Sequence, residues 1–321
     1  MKSSNFSNYT LFGLRNEAEK YISAGYILFV FLCSVLGDSI VLIASVKFKA
    51  FKIHKIVVAF IQHLSVCDLM LAVGCILPSL IQNIGDNGNG WILGPTLCYI
   101  SSYTGTMLFA TGPVLIAAMT TAKLLLVKFP LRSGTWSTRQ AHLVGGGIWL
   151  YSLSGPICVM IIDKDDVFFD YRLYQCLVDY STEEWKIMRP ILGLMIIIAP
   201  NIAIIINSIL LLVEAKKVAG GAGCPLKWQG IVTVVLTAGT YTVSLLPITL
   251  IYSLVDELDP HYTTLYKMGS YFTLINVLAN FFIYSLTVKS FRIFLKAQIR
   301  QVLPGFARIA QGAQLPCYKI K

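Results

Sequence analysis

Residues 190–213 read PILGLMIIIAPNIAIIINSILLLV, a run without one Asp, Glu, Lys or Arg. Its length fits the roughly 20 residues that a helix needs to cross a bilayer core. Working outward, six more runs of this kind stand at about 21–46, 56–84, 95–122, 141–162, 228–255 and 268–288. The third to seventh runs along the chain carry no charge, and the first two carry one acid each, Asp38 and Asp68. A charge at the bilayer centre costs several kcal/mol, so runs like these are what a membrane demands. Their apolar residues do not alternate with period two, which makes them helices rather than barrel strands. Gly145-Gly146-Gly147, Pro113, Pro200 and Pro247 lie inside the runs and are tolerated in membrane helices. The expected fold class is an all-α membrane protein: a seven-transmembrane helix bundle over 21–288, with no soluble domain and no internal repeat.

Composition agrees. Of 321 residues, 56% are hydrophobic and 13% charged, against roughly 25% charged in soluble domains. Disordered chains and nucleic-acid-binding domains are thereby set aside. Enzyme readings fail on motifs. Gly220-Gly221-Ala222-Gly223 lacks the Lys-Ser/Thr of a phosphate loop, no Ser/His/Asp set appears, and the four histidines are scattered. No cofactor is expected beyond a structural sodium ion, discussed below.

The charges fix the topology. Residues 1–20 hold no apolar core, so the first span acts as its own insertion signal. It carries a net +1 before it and +4 just after it, in Lys47, Lys49, Lys52 and Lys55. The positive-inside rule then puts the N-terminus outside. Seven crossings leave 18 Lys/Arg and one acid, Glu214, inside; 8 Lys/Arg and 13 acids fall outside. The net charge of +10 is thus a topogenic bias and an attraction to anionic lipid, and nucleic acid is not needed as a partner. The expected location is the plasma membrane. Asn5 and Asn8 open two adjacent glycosylation sequons in the outer segment 1–20. Of the eight cysteines, only Cys98 and Cys176 lie near the oxidising face and outside span interiors. A disulfide between them would tie the second outer loop to the bundle. Residues 289–302 form an amphipathic helix, with Phe291, Phe294, Leu295, Ile299 and Val302 on one face and Arg292, Lys296 and Arg300 on the other, suited to the inner leaflet. Residues 303–321 are a cytoplasmic tail whose Cys317 is either a palmitoylation site or a free thiol.

Motifs in register make the chain resemble the rhodopsin-like G-protein-coupled receptors, as a divergent member, over roughly 20–301. Gly37-Asp38-Ser39-Ile40-Val41 is similar to that family's Gly-Asn-x-x-Val, and Leu64-Ser65-Val66-Cys67-Asp68 to its Leu-Ala-x-x-Asp. Trp149 and Pro200 fall at the markers of the fourth and fifth helices, and Asn276 and Asn280-Phe281-Phe282-Ile283-Tyr284 at the seventh-helix Asn-Pro-x-x-Tyr. Cys98 precedes Lys123 by the family spacing. Three activation elements depart from the pattern: Ala122-Lys123-Leu124 stands for Asp-Arg-Tyr, Leu245 for the sixth-helix Trp, and Phe281 for the seventh-helix Pro. Lysine keeps a charge but loses the planar fork of arginine.

The resemblance implies an extracellular ligand, a cytoplasmic heterotrimeric G protein, and a switch at Ala122, Lys123, Leu124 and Tyr284. It implies a sodium site at Asp68 with Asn276 and Asn280, lacking one ligand because Gly112 replaces a serine. Asp38 should face Asp68, and two carboxylates in one dry site resist both being charged; the pair either engages a cation or is a structural pair sharing a proton. The implied ligand pocket comprises Gly105, Thr106 and Phe109 of the third helix, Leu192 and Ile196 of the fifth, Ile248, Thr249 and Tyr252 of the sixth, and Tyr266, Ser270 and Thr273 of the seventh. None is charged, which suits an uncharged small molecule or a peptide. Acids of the second outer loop, Asp163, Asp165, Asp166, Asp170 and Asp179, either attract a cationic peptide or form a solvated loop. The inner loop 214–227 has no Ser or Thr and the tail after Ser290 has none, so arrestin recruitment through phosphorylation is expected to be weak or absent, resting on Ser133, Thr135, Ser137 and Thr138. A non-signalling decoy or scaffold is the competing class. A transporter would need repeated halves and a polar path.

Overall fold

The computed structural model describes residues 17–47, 54–85, 90–129, 136–162, 167–170, 172–178, 191–219, 225–254 and 262–302. The chain is a seven-helix bundle followed by a short eighth helix. Helix α1 spans Glu17–Val46; α2 runs through Lys55–Leu71, a π-helical turn Ala72–Ile76 and Leu77–Gly85; α3 spans Gly94–Lys128 and α4 Thr138–Ile162. A hairpin of β1 (Val167–Asp170) and β2 (Gln175–Val178) separates α4 from α5, which is a π-helical turn Gly193–Ile198 and Ala199–Ala219. Then come α6 (Pro225–Leu254), α7 (Tyr262–Thr273 and Ile275–Thr287) and α8 (Lys289–Val302). Six of these helices are long and apolar enough to cross a membrane; α4, of 25 residues, completes the bundle. The span boundaries read from the sequence hold to within a turn or two, the third running on past Ala122 to Lys128 and the seventh opening earlier, at Tyr262.

The centre of the bundle is packed by buried residues of all seven helices, among them Val41, Ile61, Leu115, Leu211, Val234 and Tyr284. Large apolar side chains on the outside, such as Leu150, Ile161 and Leu286, are exposed, as lipid-facing positions must be. The helix irregularities have local causes. Pro200 has no N–H to give to the preceding turn, and the Asn201 amide donates to the Ile197 carbonyl at 2.7 Å where α5 is π-helical. In α7 the break at Leu274 leaves the Tyr271 carbonyl to accept from the Tyr26 hydroxyl at 2.8 Å, tying α1 to α7.

The amphipathic helix α8 turns part of its apolar face toward the bundle. Phe291 is fully buried against the bundle, with Phe294 and Leu295 packed on the same core. Ile293 and Ile299 remain exposed. The apolar face is therefore divided between bundle and lipid. Arg292 donates to the Leu286 carbonyl at 2.7 Å, capping the end of α7 where cations are favoured.

Candidate functional site

At the hairpin end, Cys98 at the start of α3 is bonded to Cys176 in β2, with Cα atoms 5.2 Å apart. The two strands are antiparallel, with Phe169 opposite Cys176. Trp91 packs beside this link, and its indole donates to the Gly94 carbonyl at 2.8 Å. The hairpin turn is held by Asp170, which is buried and accepts from the Arg172 backbone N–H at 2.8 Å and from its guanidinium at 2.8–3.2 Å. Asp170 is therefore not one of a set of acids open to a cationic ligand; Asp163, Asp165, Asp166 and Asp179 lie outside the described residues.

The hairpin tip reaches across the bundle. The Leu173 carbonyl accepts from Ser79 of α2 at 3.0 Å. The Leu173 side chain is buried with Tyr266 of α7, against Ile248 and Ile251 of α6. The Arg172 guanidinium lies 4.7 Å from the centroid of the Tyr266 ring. Two of the residues assigned to the pocket from sequence, Ile248 and Tyr266, are thus covered by the chain's own loop. Leu192 packs at the disulfide end of the same hairpin. Gly105, Thr106 and Ile196 are half-buried, and Phe109 is exposed.

The pocket hydroxyls are already committed. Thr106 donates to the Ser102 carbonyl, Thr249 to the Leu245 and Leu246 carbonyls, and Thr273 to the Ser270 carbonyl. They retain lone pairs and so act toward a ligand as acceptors. Tyr252 lies in α6, with its side chain outside the described residues. Sequence reasoning passed over Ser102, whose buried hydroxyl has no partner among the described residues; nothing in its sequence neighbourhood marks it.

In mid-bundle the structure brings together Asp38, Asp68 and Asn280, all buried. The Asn280 amide donates to Asp68 Oδ2 at 2.7 Å, and Ser34 donates to Asp38 Oδ2 at 3.2 Å. Asp38 Oδ1 and Asn280 Oδ1 are buried without a partner among the described residues. An orphaned buried oxygen is costly, and two of them beside a carboxylate form an all-oxygen set of the kind a hard cation takes. Asn276 is half-buried and makes no bond to the pair. A side chain built on Gly112 would meet nothing within 4 Å, so the missing helix-three ligand leaves open space.

At the opposite, basic end, Ala122 and Lys123 are buried and Leu124 is half-buried. His54 caps α2, accepting from the Ile56 N–H at 3.4 Å. Its own burial, then the Lys123 and Lys55 cations, push the His54 imidazole below its ordinary value. Tyr284 is fully buried. The end of α6 is bonded to α7 by Thr233 donating to Thr287 at 2.8 Å. Ser137 and Gln140 bond one another at the start of α4. Asn5, Asn8, Ser133, Thr135 and Cys317 lie outside the described residues.

The family described as 7 transmembrane receptor (rhodopsin family) matches residues 37–284. An annetocin receptor of Eisenia fetida is 25% identical over 174 residues, covering 54% of this chain and 40% of that receptor. A QRFP-like peptide receptor of Branchiostoma floridae is 22% identical over 167 residues, covering 52% of this chain and 43% of that receptor. The chain thus spans less than half the length of these relatives. Squid rhodopsin superposes with a TM-score of 0.77 at 16% identity, over 92% of this chain and 85% of that one, a likeness of fold.

Proposed function

We propose, since this chain belongs to the rhodopsin family of seven-transmembrane receptors, that it is a plasma-membrane receptor taking a peptide ligand at its hairpin end and meeting a heterotrimeric G protein at its basic end. The family is one of receptors and not of enzymes. The orientation rests on the charge count, 18 Lys/Arg to one acid at the basic side. The peptide reading rests on relatives such as the QRFP-like peptide receptor, and on implied pocket positions none of which is itself charged.

The observation that carries the reading is the hairpin tip seated on Tyr266. It sits on Ile248 and Tyr266, the α6 and α7 members of the implied pocket, and leaves the members on α3 and α5 to a ligand. An extended backbone supplies the N–H groups that the committed hydroxyls accept. Ligand binding would act by favouring a population in which the basic end opens. Asp68, Asp38 and Asn280 are the residues that would hold a sodium ion, whose charge offsets theirs. The basic face of α8 sits on anionic lipid. Arrestin recruitment is weak, because the loop 214–227 and the tail after Ser290 have no hydroxyl of Ser or Thr to phosphorylate.

A second reading, a receptor fold that does not signal, is favoured by one observation: Ala122 offers no carboxylate and Lys123 is buried. A G-protein activation panel on the surface-expressed protein, challenged with a synthetic neuropeptide library, separates the two. Activation by a peptide that disappears in Cys176→Ser supports the receptor. Silence of both wild type and Lys123→Arg at full surface expression selects the scaffold.

A further inference from the structure

Two of the four histidines, far apart in sequence, meet in space. His63 of α2 and His142 of α4 bring Nε2 and Nδ1 to 3.2 Å, with ring centroids 5.3 Å apart. The other nitrogen of His63, Nδ1, accepts from the Trp149 indole at 3.2 Å. An indole nitrogen only donates, so His63 Nδ1 holds a lone pair and the ring proton sits on Nε2. That proton points at His142 Nδ1. The result is a directed chain, Trp149 to His63 to His142, that exists only with both imidazoles neutral. Gly145 makes the room: a Cβ there would run into the His63 ring. His63 is half-buried, while His142 is exposed at the basic end of the bundle.

We propose that this chain is a proton-operated latch joining α2 to α4. A proton taken up at His142 Nδ1 removes the acceptor that His63 uses. A proton taken up at His63 Nδ1 displaces the indole N–H. Two imidazoles this close cannot both carry charge without strong repulsion. The described charged groups at this end of α1 to α4 offer no anion to offset a proton: Lys47 just past α1, Lys55 of α2, Lys123 and Lys128 of α3 and Arg139 of α4 are all cations. Asp38 and Asp68 lie further along α1 and α2, bonded to Ser34 and Asn280. The inference does not depend on the ligand or on coupling to a G protein.

The same nitrogen spacing suits two imidazoles on one metal ion, but the bonding does not. A metal at His63 Nε2 needs the lone pair there, which moves the ring proton to Nδ1 and sets it against the indole N–H. The proton fits the site and the metal does not.

The test is thermal unfolding of the full-length protein in phosphatidylcholine nanodiscs from about pH 8 to pH 5.5, the window in which imidazole ordinarily titrates. The wild-type Tm falls by about 3 °C or more across that window, the size of a shift of roughly one kcal/mol in a bundle of this length. His63→Asn keeps an acceptor for Trp149, and His142→Gln keeps one for His63. Each loses at least half of the fall; the remainder comes from groups common to all three proteins, the Asp38–Asp68 pair among them. Nitrogen-15 spectra of labelled histidine show His63 protonated on Nε2 at the upper pH. Equal pH slopes in wild type and both variants overturn the proposal. So does a His63 proton on Nδ1, or a Tm raised by zinc chloride in the wild type and not in His63→Asn.

Discussion

Gly37 of α1 lies flush against Phe281 of α7: a Cβ built on Gly37 would come within 2.9 Å of Phe281 Cβ and 3.1 Å of its Cγ. Phe281 stands where the resemblance leads one to expect proline. With phenylalanine the helix keeps its N–H and runs unbroken over Ile275–Thr287. Its ring meets Phe291 of α8 edge-on at 6.2 Å. One substitution thus ties three helices together, and the glycine opposite it is what admits the ring.

Gly37→Ala is expected to destabilise by about 1–3 kcal/mol, the cost of overpacking a tight contact, and Phe281→Ala by roughly 3 kcal/mol from lost aromatic packing. The double variant falls short of the sum only in part, because alanine at 281 removes Cγ, 3.1 Å from the new methyl, but keeps Cβ, 2.9 Å from it. Melting of the four proteins in the cycle reads this directly; strictly additive losses count against the contact.

Cys98→Ser and Cys176→Ser are each expected to cost about 2–5 kcal/mol and to abolish surface expression or ligand binding. The double variant is no worse than either single, since both remove the same bond. Surface labelling of intact cells measures it, and a further drop in the double variant contradicts a shared role.

The polar core gives a prediction about ions. Sodium is expected to raise the Tm of the wild type more at pH 8 than at pH 6, because protons and sodium contend for the same carboxylates. Asp38→Asn flattens that pH dependence. Gly112→Ser, placed in open space, strengthens the sodium response without loss of stability. Potassium chloride at equal ionic strength is the control, and an identical response to both salts rules out the site.

Lys123→Arg restores a planar donor fork and is expected to raise agonist-independent G-protein activation several-fold, roughly one kcal/mol of preference for the open state. Nucleotide exchange in membranes with matched receptor density measures it. If wild type already couples fully and arginine adds nothing, the basic end works by contacts other than this fork.

The bundle was legible because its cause is local: each span is a run of residues that a bilayer tolerates, and periodicity needs no knowledge of neighbours. The disulfide was legible for a related reason, since topology left two cysteines on the oxidising side. What was not legible depends on distance between spans. The four histidines look scattered in sequence, yet Gly145 lets His63 reach Trp149 and His142. Nothing local marks Leu173 as the residue that would settle on Tyr266, or Asp170 as an internal partner of Arg172. The apolar face of 289–302 was legible, but not that Phe291 on it packs on the bundle, because amphipathicity gives a direction and not the identity of what lies there.

The hairpin across α2, α6 and α7 bears on time as much as on affinity. A ligand that reaches beneath the hairpin tip, toward Ile248 and Tyr266, must part the Leu173–Tyr266 contact on entry and again on exit. Both rates are then set by how often that contact opens, so binding and release slow together while the equilibrium is little changed. Short incubations would make a tight ligand look weak, and washing would fail to remove one already seated. Trimming the contact with Leu173→Ala would shorten both processes by a common factor.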